Sequence, residues 1–157
     1  MLQNLKSVSR VEELMPLIRE ALAAGHSVRF FPRGVSMRPM LRQDIDSVVL
    51  SPLPGQLQKY DIVFYQRDNG SYVLHRIVAA GDSYTCMGDN QTVPESGLRH
   101  DQMIAVVIAF YRGEKYIPVN SHVYRLYCRM WVGSLPIRRL AKRIINRLKR
   151  IWRLLIK

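Results

Sequence analysis

Three polar side chains in this 157-residue sequence have the types needed to activate a hydroxyl nucleophile. Ser36 lies in the stretch 34–40, GVSMRPM, just after an apolar and aromatic run. His75 lies within a second apolar run, and Asp89 lies in a Gly-Asp-Asn turn. A serine becomes a nucleophile at neutral pH when a base accepts its proton and a carboxylate orients that base. Brought together, these residues predict nucleophilic catalysis by a serine.

The segments around these residues carry the patterns of short strands and tight turns. Turn signals occur at 52–55, 68–70 and 81–82, and the Asp-Asn-Gly at 68–70 between two apolar runs predicts a β-hairpin. Strands this short and frequent favour a twisted antiparallel sheet over alternating strands and helices. We therefore expect a mainly β body. The predicted strands are 27–31, 47–50, 61–66, 71–80, 83–87, 103–111 and 115–119.

An amphipathic helix is predicted before the strands. From Val11 onward, apolar residues recur at helical spacing, and Gly25 ends the pattern. Ser9 and Glu12, three residues later, form a capping-box pattern, whereas Pro16 predicts a kink or a later start. We expect this helix to pack on the sheet. The alternative is a helix that docks on a partner or on a membrane surface.

Positive charge is concentrated at the C-terminal end. The chain has 24 Lys and Arg against 12 Asp and Glu, which gives a net charge of +12. Residues 115–157 hold 12 of the basic residues and none of the acidic ones, so residues 1–114 are neutral as a group. With 48% hydrophobic and 23% charged residues, the composition is that of a globular domain, which argues against wholesale disorder.

Cysteine content and hydropathy exclude several classes of protein. Cys86 and Cys128 are too few for a disulfide framework, so we expect two reduced, semi-buried thiols. No Cys or His spacing matches a metal site, and we expect neither a metal nor a cofactor. The N-terminus lacks a continuous apolar segment of the secretory type, and no run of about 18 or more apolar residues occurs. The body is therefore expected to be cytoplasmic and to lack a transmembrane helix.

Two helices are predicted in the tail, the first opening at residues 120–121 and the second following a break at 133–136. The second combines an apolar stripe at helical spacing with nine cations and no acid. A basic helix with one strongly apolar face is typical of helices that lie in the interface of an anionic membrane. The residues expected at the membrane surface are Arg139, Arg143, Arg147, Arg150 and Trp152.

Two other roles for this basic helix stay open. Its apolar stripe would also suit packing against the body or against a partner helix, with the cations in solvent. A basic stripe also matches the phosphates of nucleic acid. Since no aromatic stacking platform accompanies the stripe, we do not expect a nucleic-acid partner.

Four short motifs in the β region resemble the ordered boxes of type I signal peptidases. They are 36–39 (Ser-Met-x-Pro), 59–63 (KYDIV), 75–77 (HRI) and 88–90 (GDN), within about residues 27–110. They are also similar to the wider serine-peptidase clan that includes LexA-type self-cleaving repressors. The resemblance implies a coiled antiparallel β-ribbon for this body and implies that Ser36 attacks a peptide bond.

A histidine at the base position resembles the endoplasmic-reticulum, archaeal and sporulating-bacterium type of the family. The bacterial type and the repressors have a lysine there. The resemblance implies that His75 accepts the Ser36 proton and later protonates the leaving amine. Histidine suits this role because it titrates near neutral pH without strong desolvation. The alternative is a core histidine bonded to the backbone.

Two carboxylates compete for the role of orienting His75. Asp89 is the first choice, although an aspartate in such a turn also caps backbone N–H groups. Glu95 is the alternative orienter, because eukaryotic-type relatives carry a further aspartate a few residues after the turn. We expect Arg76 to pair with a carboxylate rather than to take part in the chemistry.

The oxyanion hole is expected to rest on backbone N–H groups, with that of Ser36 as the natural donor. Gly34 and Val35 stand where several relatives have a side-chain hydroxyl. Gly34 and Met37 are assigned to the oxyanion hole and substrate groove, although a methionine here is otherwise a core residue. The remaining histidines are expected at the surface: His26, His100 and His122.

Three regions follow from these patterns: an N-terminal amphipathic helix (1–25), a β-rich peptidase-like domain (26–119) and a basic amphipathic helical tail (120–157). The resemblance implies a serine endopeptidase of the signal-peptidase type that cleaves a leader or signal segment from a peptide or preprotein. We expect a peripheral enzyme on the cytoplasmic face, held by its tail helix on an anionic membrane. The alternatives are a LexA-like regulator that cleaves itself or a partner, and a non-catalytic relative that only binds peptide.

Overall fold

A computed structural model describes residues 3–5 and 11–155 of the chain. The expected fold class is confirmed, since the molecule is mainly antiparallel β-sheet with one helix before the sheet and two after it. A turn of 3-10 helix, His100–Gln102, precedes the longest strand. The elements are β1 (Gln3–Leu5), α1 (Val11–Ala23), β2 (Val28–Phe30), β3 (Ser47–Ser51), β4 (Ile62–Gln66), β5 (Tyr72–Ala80), β6 (Tyr84–Met87), β7 (Glu95–Leu98), β8 (Met103–Arg112), β9 (Lys115–Pro118), α2 (His122–Gly133) and α3 (Leu135–Leu155).

The nine strands of the described residues belong to one sheet, in the order β1-β2-β3-β8-β4-β5-β6-β7, with β9 on β8. Every pair is antiparallel except β1 with β2. The register shifts where β8 meets β3 and β4, and again where β6 meets β5 and β7. Such bulges bend a strand and increase its twist, so they curl this sheet.

The sheet is covered on both faces, because side chains of its central strands enter two separate cores. In β4, Ile62 and Phe64 lie in a core with the buried face of α1, whereas Val63 and Tyr65 lie in a second core with Leu57. This alternation is the two-residue period of a strand. As expected, α1 packs on the sheet, through Leu14, Met15, Ile18 and Leu22.

Helix α1 continues through Pro16 without a break. Proline cannot bond the carbonyl of Glu12, but both residues are exposed, so water can bond that carbonyl instead. The helix ends as the sequence predicts, with Gly25 at φ 77° and the N–H of His26 donating to the carbonyl of Ala21. The predicted cap at Ser9 lies outside the described residues.

Two strands lie where the sequence analysis predicts none. Strand β1 falls within the region expected to be helical, and β7 follows a turn as the polar run Glu-Ser-Gly-Leu. Each run has only one apolar side chain, a leucine, so no apolar pattern indicates a strand, and pairing with a neighbouring strand defines both. The thiols of Cys86 and Cys128 are free and fully buried rather than half-buried. The three histidines expected at the surface are exposed.

The tail forms two helices, as predicted. Ser121 caps α2 by accepting a hydrogen bond from the N–H of Tyr124, and Ser134 separates α2 from α3. The apolar stripe of α3 does not pack on the body, since Leu140, Leu148 and Trp152 are 59%, 60% and 69% exposed. None of the helices in the described ranges combines the length and the apolar character that crossing a bilayer requires.

Candidate active site

Ser36 and His75 both lie close to Gly88, although 39 positions separate the two in the chain. Ser36 lies in the loop after β2, and His75 is on β5 opposite Val63 of β4. Gly88, just after β6, fits between them. A Cβ at Gly88 would be 3.0 Å from the Ser36 Cβ and 3.1 Å from the His75 Nε2. The nucleophile candidate and the base candidate therefore meet at a glycine, a position where a side chain would collide with both.

The loop that carries Ser36 is held by the turn that carries Gly88. The N–H of Asn90 donates to the carbonyl of Ser36 at 2.7 Å, and the Asn90 side chain donates to the carbonyl of Val35 at 3.2 Å. Gly34 has φ 93°, and its N–H donates to the Gln43 side chain at 3.1 Å. That bond occupies the Gly34 N–H, so this N–H is not available to an oxyanion.

An open cleft of about 240 Å³ lies beside this pair, between the loop after β2 and the first residues of β5. Ser36 is half-buried there and His75 is buried. Ser36 and His75 both line the cleft, as do Gly34 and Met37, the two residues predicted for the substrate groove. Met37 is only 5% exposed and belongs to the first core, so it forms the floor of the cleft more than its wall.

A tyrosine orients the imidazole of His75. The hydroxyl of Tyr65 lies 3.3 Å from Nδ1 of His75 and donates its proton to Oε2 of Glu95 at 2.8 Å. A hydroxyl has only one proton to give, so its oxygen accepts from the N–H of Nδ1. The lone pair of the neutral imidazole is therefore on Nε2, the atom next to Gly88 and Ser36. This is the tautomer that a general base for Ser36 requires.

Burial favours the neutral form of His75. Burial, together with the nearby Arg67 cation, lowers the pKa of His75 to about 4 against the opposing effect of Glu95 and Asp89. Hydrogen bonds from Arg67 hold the pKa of Glu95 below its usual value, so Glu95 is ionised at neutral pH. Burial and the bond to Glu95 raise the pKa of Tyr65, so its hydroxyl stays protonated.

Asp89, the first choice as orienter, does not bond His75. Its two carboxylate oxygens accept from Arg76, Nε to Oδ1 at 2.9 Å and Nη2 to Oδ2 at 2.8 Å, and the Tyr127 hydroxyl donates to Oδ2 at 3.3 Å. The reason is the alternation of side chains along β5, because the consecutive residues His75 and Arg76 point to opposite faces of the sheet. Asp89 lies on the face of Arg76, whereas the alternative orienter, Glu95, reaches the imidazole through Tyr65.

Tyr65 is the site residue that the sequence analysis missed. Val63 pairs with His75 across the hairpin, so the side chain two residues further along β4 lies on the same face as the imidazole. The Asp-Asn-Gly turn sets this register, and it would have indicated Tyr65 had the pairing been counted outward from the turn.

Arg76 connects the turn that carries Gly88 to the tail. Burial lowers the pKa of Arg76, but the hydrogen bonds to Asp89 outweigh it and raise the pKa above its usual value. The fully buried guanidinium also donates to the Tyr124 hydroxyl at 2.8 Å and to Sγ of Cys128 at 3.0 Å, both on α2. The expected pairing of Arg76 with a carboxylate is therefore confirmed, with Asp89 as its partner.

Residues of the tail also bond the backbone of the same turn. Nε1 of Trp131 and Nη1 of Arg138 donate to the carbonyl of Asp89 at 3.0 and 2.7 Å, and Nε of Arg139 donates to the carbonyl of Thr92 at 2.8 Å. Arg139, predicted at a membrane surface, is therefore bonded to the body. Of the other residues predicted there, Arg143, Arg147 and Trp152 are exposed, and the side chain of Arg150 lies outside the described part.

Across residues 3–5 and 11–155, no group of three or more His, Cys, Asp or Glu side chains is arranged to hold a metal ion. The site as it stands consists of a serine, a neutral histidine with its free nitrogen toward that serine, and a Tyr-Glu pair behind the histidine. No protein-family model, no curated protein and no solved structure matches this chain, so the assignment of a function rests on the geometry of this site.

Proposed function

We propose that this protein is a serine endopeptidase of the signal-peptidase type, with Ser36 as nucleophile and His75 as base. The observation that carries the proposal is the meeting of Ser36 and Nε2 of His75 at Gly88. Burial beside Tyr65 and Glu95 supports it further, because a histidine held as the Nδ1–H tautomer has its basic nitrogen directed at the hydroxyl.

In the proposed reaction, the Ser36 oxygen attacks the carbonyl carbon of the scissile peptide bond while Nε2 of His75 takes the hydroxyl proton. The resulting imidazolium donates from Nδ1 to Tyr65, whose hydroxyl is bonded to the ionised Glu95. The oxyanion accepts from the Ser36 N–H. His75 then returns the proton to the leaving amine, and water hydrolyses the acyl-enzyme with the same histidine as base.

The free edge of β5 supports an extended peptide as the substrate. Strand β6 pairs with β5 only from Arg76 to Ala80, so within the described chain no strand covers residues 72–75 on that side. Residues 72–75 line the cleft together with Ser36. A peptide added as a strand along this edge would bond the backbone of β5 and would pass the nucleophile.

The tail supports an anionic membrane surface as the place of action. Along α3, Ile144 and Leu148 are 52% and 60% exposed on the apolar face, and no acidic residue occurs in the helix. Burial of such a face in the headgroup region, with lysine and arginine attracted to anionic lipid, holds helices of this kind on a bilayer. We therefore place the proposed enzyme at a membrane surface, where it would cut a leader segment from a peptide or preprotein.

The decisive experiment is covalent labelling with a serine-reactive acylating probe. We expect the label on Ser36 by peptide mapping, none on Ser36→Ala, and labelling of His75→Ala slowed about a hundredfold or more. Because the pKa of His75 is lowered to about 4, the imidazole is neutral from pH 6 to 8 and the labelling rate is expected to be flat there. If His75 had an ordinary pKa, the labelling rate would instead fall roughly fourfold from pH 8 to pH 6.

Two tyrosines provide a matched comparison in the same assay. Tyr65→Phe removes the hydroxyl that bonds Nδ1 and is expected to slow labelling about tenfold. Tyr84→Phe removes a hydroxyl that lies 3.2 Å from Nδ1 of the surface residue His100, and it is expected to leave the rate unchanged. Labelling at another residue, or equal labelling of Ser36→Ala, would contradict the proposal and favour a protein that only binds peptide.

Binding to the membrane is tested by sedimentation with vesicles that contain about a third anionic lipid. Ile144→Ser with Leu148→Ser is expected to weaken binding by at least about a hundredfold, because each side chain contributes about 1.5–3 kcal/mol when buried. Val123→Ser with Leu126→Ser removes two side chains of α2, 82% and 59% exposed, that lie outside the stripe of α3, and it should bind like the wild type. Equal weakening of both double variants would show that the stripe is not the membrane contact.

A further inference from the structure

Three adjoining openings, which share lining residues, form a groove from the cleft at Ser36 to the tail helix. The cleft shares Arg67 and Gln91 with a second opening of about 460 Å³, whose far wall is Lys142 of α3. That opening in turn shares residues 92–94 and Lys142 with a third, of about 470 Å³, which Arg143 also lines. The segment 91–95 thus forms the floor of one path that begins at the nucleophile candidate and ends on α3.

The wall of this groove is one face of α3. Arg139, Lys142, Arg143 and Asn146 recur at the spacing i, i+3, i+4, i+7, which places them on one side of a helix. The apolar stripe through Ile144 and Leu148 occupies the opposite side, where both side chains are exposed. The helix therefore has two separate faces, a cationic one toward the groove and an apolar one away from it.

The positive charge in the groove is not neutralised by the protein. Within the described part of the chain, no carboxylate lies within ion-pair distance of Lys142 or Arg143, and α3 contains no acid. Glu95, the only acid that lines the groove in that part, already bonds Arg67 and Tyr65. Lys142 and Arg143 are thus free to pair with an anion that enters along the groove.

We propose that this groove binds acidic residues of the peptide substrate, in the part of the peptide that runs past residues 91–95 from the bond cut at Ser36. The inference rests on the proposed peptidase function and adds a substrate class to it, namely an extended peptide with aspartate or glutamate at a set distance from the scissile bond. An acidic peptide fits better than lipid, since the groove opens from the cleft and lies on the side of α3 opposite the stripe that would enter a bilayer.

The size of the preference follows from the exposure of the cations. A single exposed ion pair is worth a factor of about two to five in affinity, and the groove offers two unpaired cations beside Arg139. We therefore expect a peptide with two acidic residues in register to bind about tenfold more tightly than its glutamine counterpart at low salt. The preference should fall at about 0.5 M salt, because exposed charges are then screened within a few ångströms.

The test uses the full-length Ser36→Ala protein, which cannot consume the peptide, and fluorescence anisotropy of labelled extended peptides. The peptides differ only in glutamate or glutamine pairs placed at successive positions. The groove variant carries Lys142→Glu and Arg143→Glu. The control carries Lys115→Glu and Lys149→Glu, which reverse the same charge at two exposed residues that do not line the groove.

We expect the groove variant to lose or invert the preference for acidic peptide, and the control to keep it at wild-type strength. Equal weakening by both variants would overturn the inference, because it would show general attraction to a basic protein. Displacement of the acidic peptide by anionic vesicles, with vesicle binding lost in the groove variant, would overturn it in favour of lipid as the occupant.

The binding assay and the labelling assay together distinguish an error in the groove inference from an error in the proposed peptidase function. The acylating probe is small and carries no acidic residue, so labelling of the wild-type protein tests the peptidase function without the groove. If the probe labels Ser36 and no acidic preference appears, the groove inference alone is wrong. If the preference appears and depends on Lys142 and Arg143 while the probe does not label, the groove still binds acidic peptide and the peptidase function is wrong.

Discussion

Replacing Gly88 with alanine is expected to slow acylation of Ser36 about a hundredfold, because misplacement of a reacting group by about 1 Å has a cost of this order. The new Cβ would lie 2.6 Å from the carbonyl oxygen of Ser36 and 3.1 Å from Nε2 of His75. The carbonyl belongs to the backbone and is already bonded to the N–H of Asn90, so the chain must move to relieve the contact. The movement separates the nucleophile from its base.

Gly81→Ala is the matched control for this substitution. Gly81 lies in the turn between β5 and β6, has no atom within 4 Å of the position of an added Cβ, and does not have a positive φ. We expect its labelling rate and its unfolding midpoint to match those of the wild type. Gly88→Ala is also expected to lower the free energy of unfolding by about 1–3 kcal/mol through overpacking. Wild-type labelling of Gly88→Ala would contradict the site geometry described above.

Replacing Asp89 with asparagine is expected to destabilise the protein by about 3–5 kcal/mol, the typical cost of leaving one charge of a buried pair without its partner. Arg76 is fully buried, and both carboxylate oxygens of Asp89 accept from its guanidinium. A loss of this size is a large fraction of the 5–15 kcal/mol by which domains are usually stable. Urea unfolding measures it as a lower midpoint at an unchanged slope.

Two comparisons distinguish the buried charge from a packing defect. Asp68→Asn breaks a surface pair with Arg99, whose side chains are 76% and 57% exposed, and should cost below about 1 kcal/mol. Adding Arg76→Met to Asp89→Asn removes the unpaired charge and should restore part of the lost stability. If the double variant is less stable than Asp89→Asn alone, the loss does not come from the unpaired guanidinium.

Local sequence is enough to identify the residues proposed for the chemistry. It is not enough to predict which side chains they bond in the folded protein. Ser36 and His75 were chosen by residue type and by the motifs around them, and the fold brings both to Gly88. The choice between Asp89 and Glu95 depended on which face of β5 each carboxylate reaches. That question is decided by strand register and by a turn between β6 and β7, features set by pairing across the sheet.

The secondary structure also divides into elements that local sequence predicts and elements that only pairing with a neighbour defines. Strands β2 to β6, β8 and β9 contain enough apolar residues to be predicted from the sequence, within a residue or two at their ends. Strands β1 and β7 are not predicted, because their sequences, Gln-Asn-Leu and Glu-Ser-Gly-Leu, are mostly polar and only pairing with a neighbouring strand defines them. The kink or later start predicted from Pro16 is absent from α1, since an exposed proline near a helix start removes a hydrogen bond that water can replace.

Amphipathic character and charge are properties of consecutive residues, so the basic tail, its apolar stripe and the mainly β body could be derived from residue order alone. Contacts between residues far apart in the chain could not, because they depend on how the sheet curls and which strands pair. The Tyr65–Glu95 support of His75, the Arg76–Asp89 link to α2 and the groove along α3 are all of this kind. Each of these three features joins segments that come into contact only in the folded protein, once the strands have paired and the sheet has bent at its bulges.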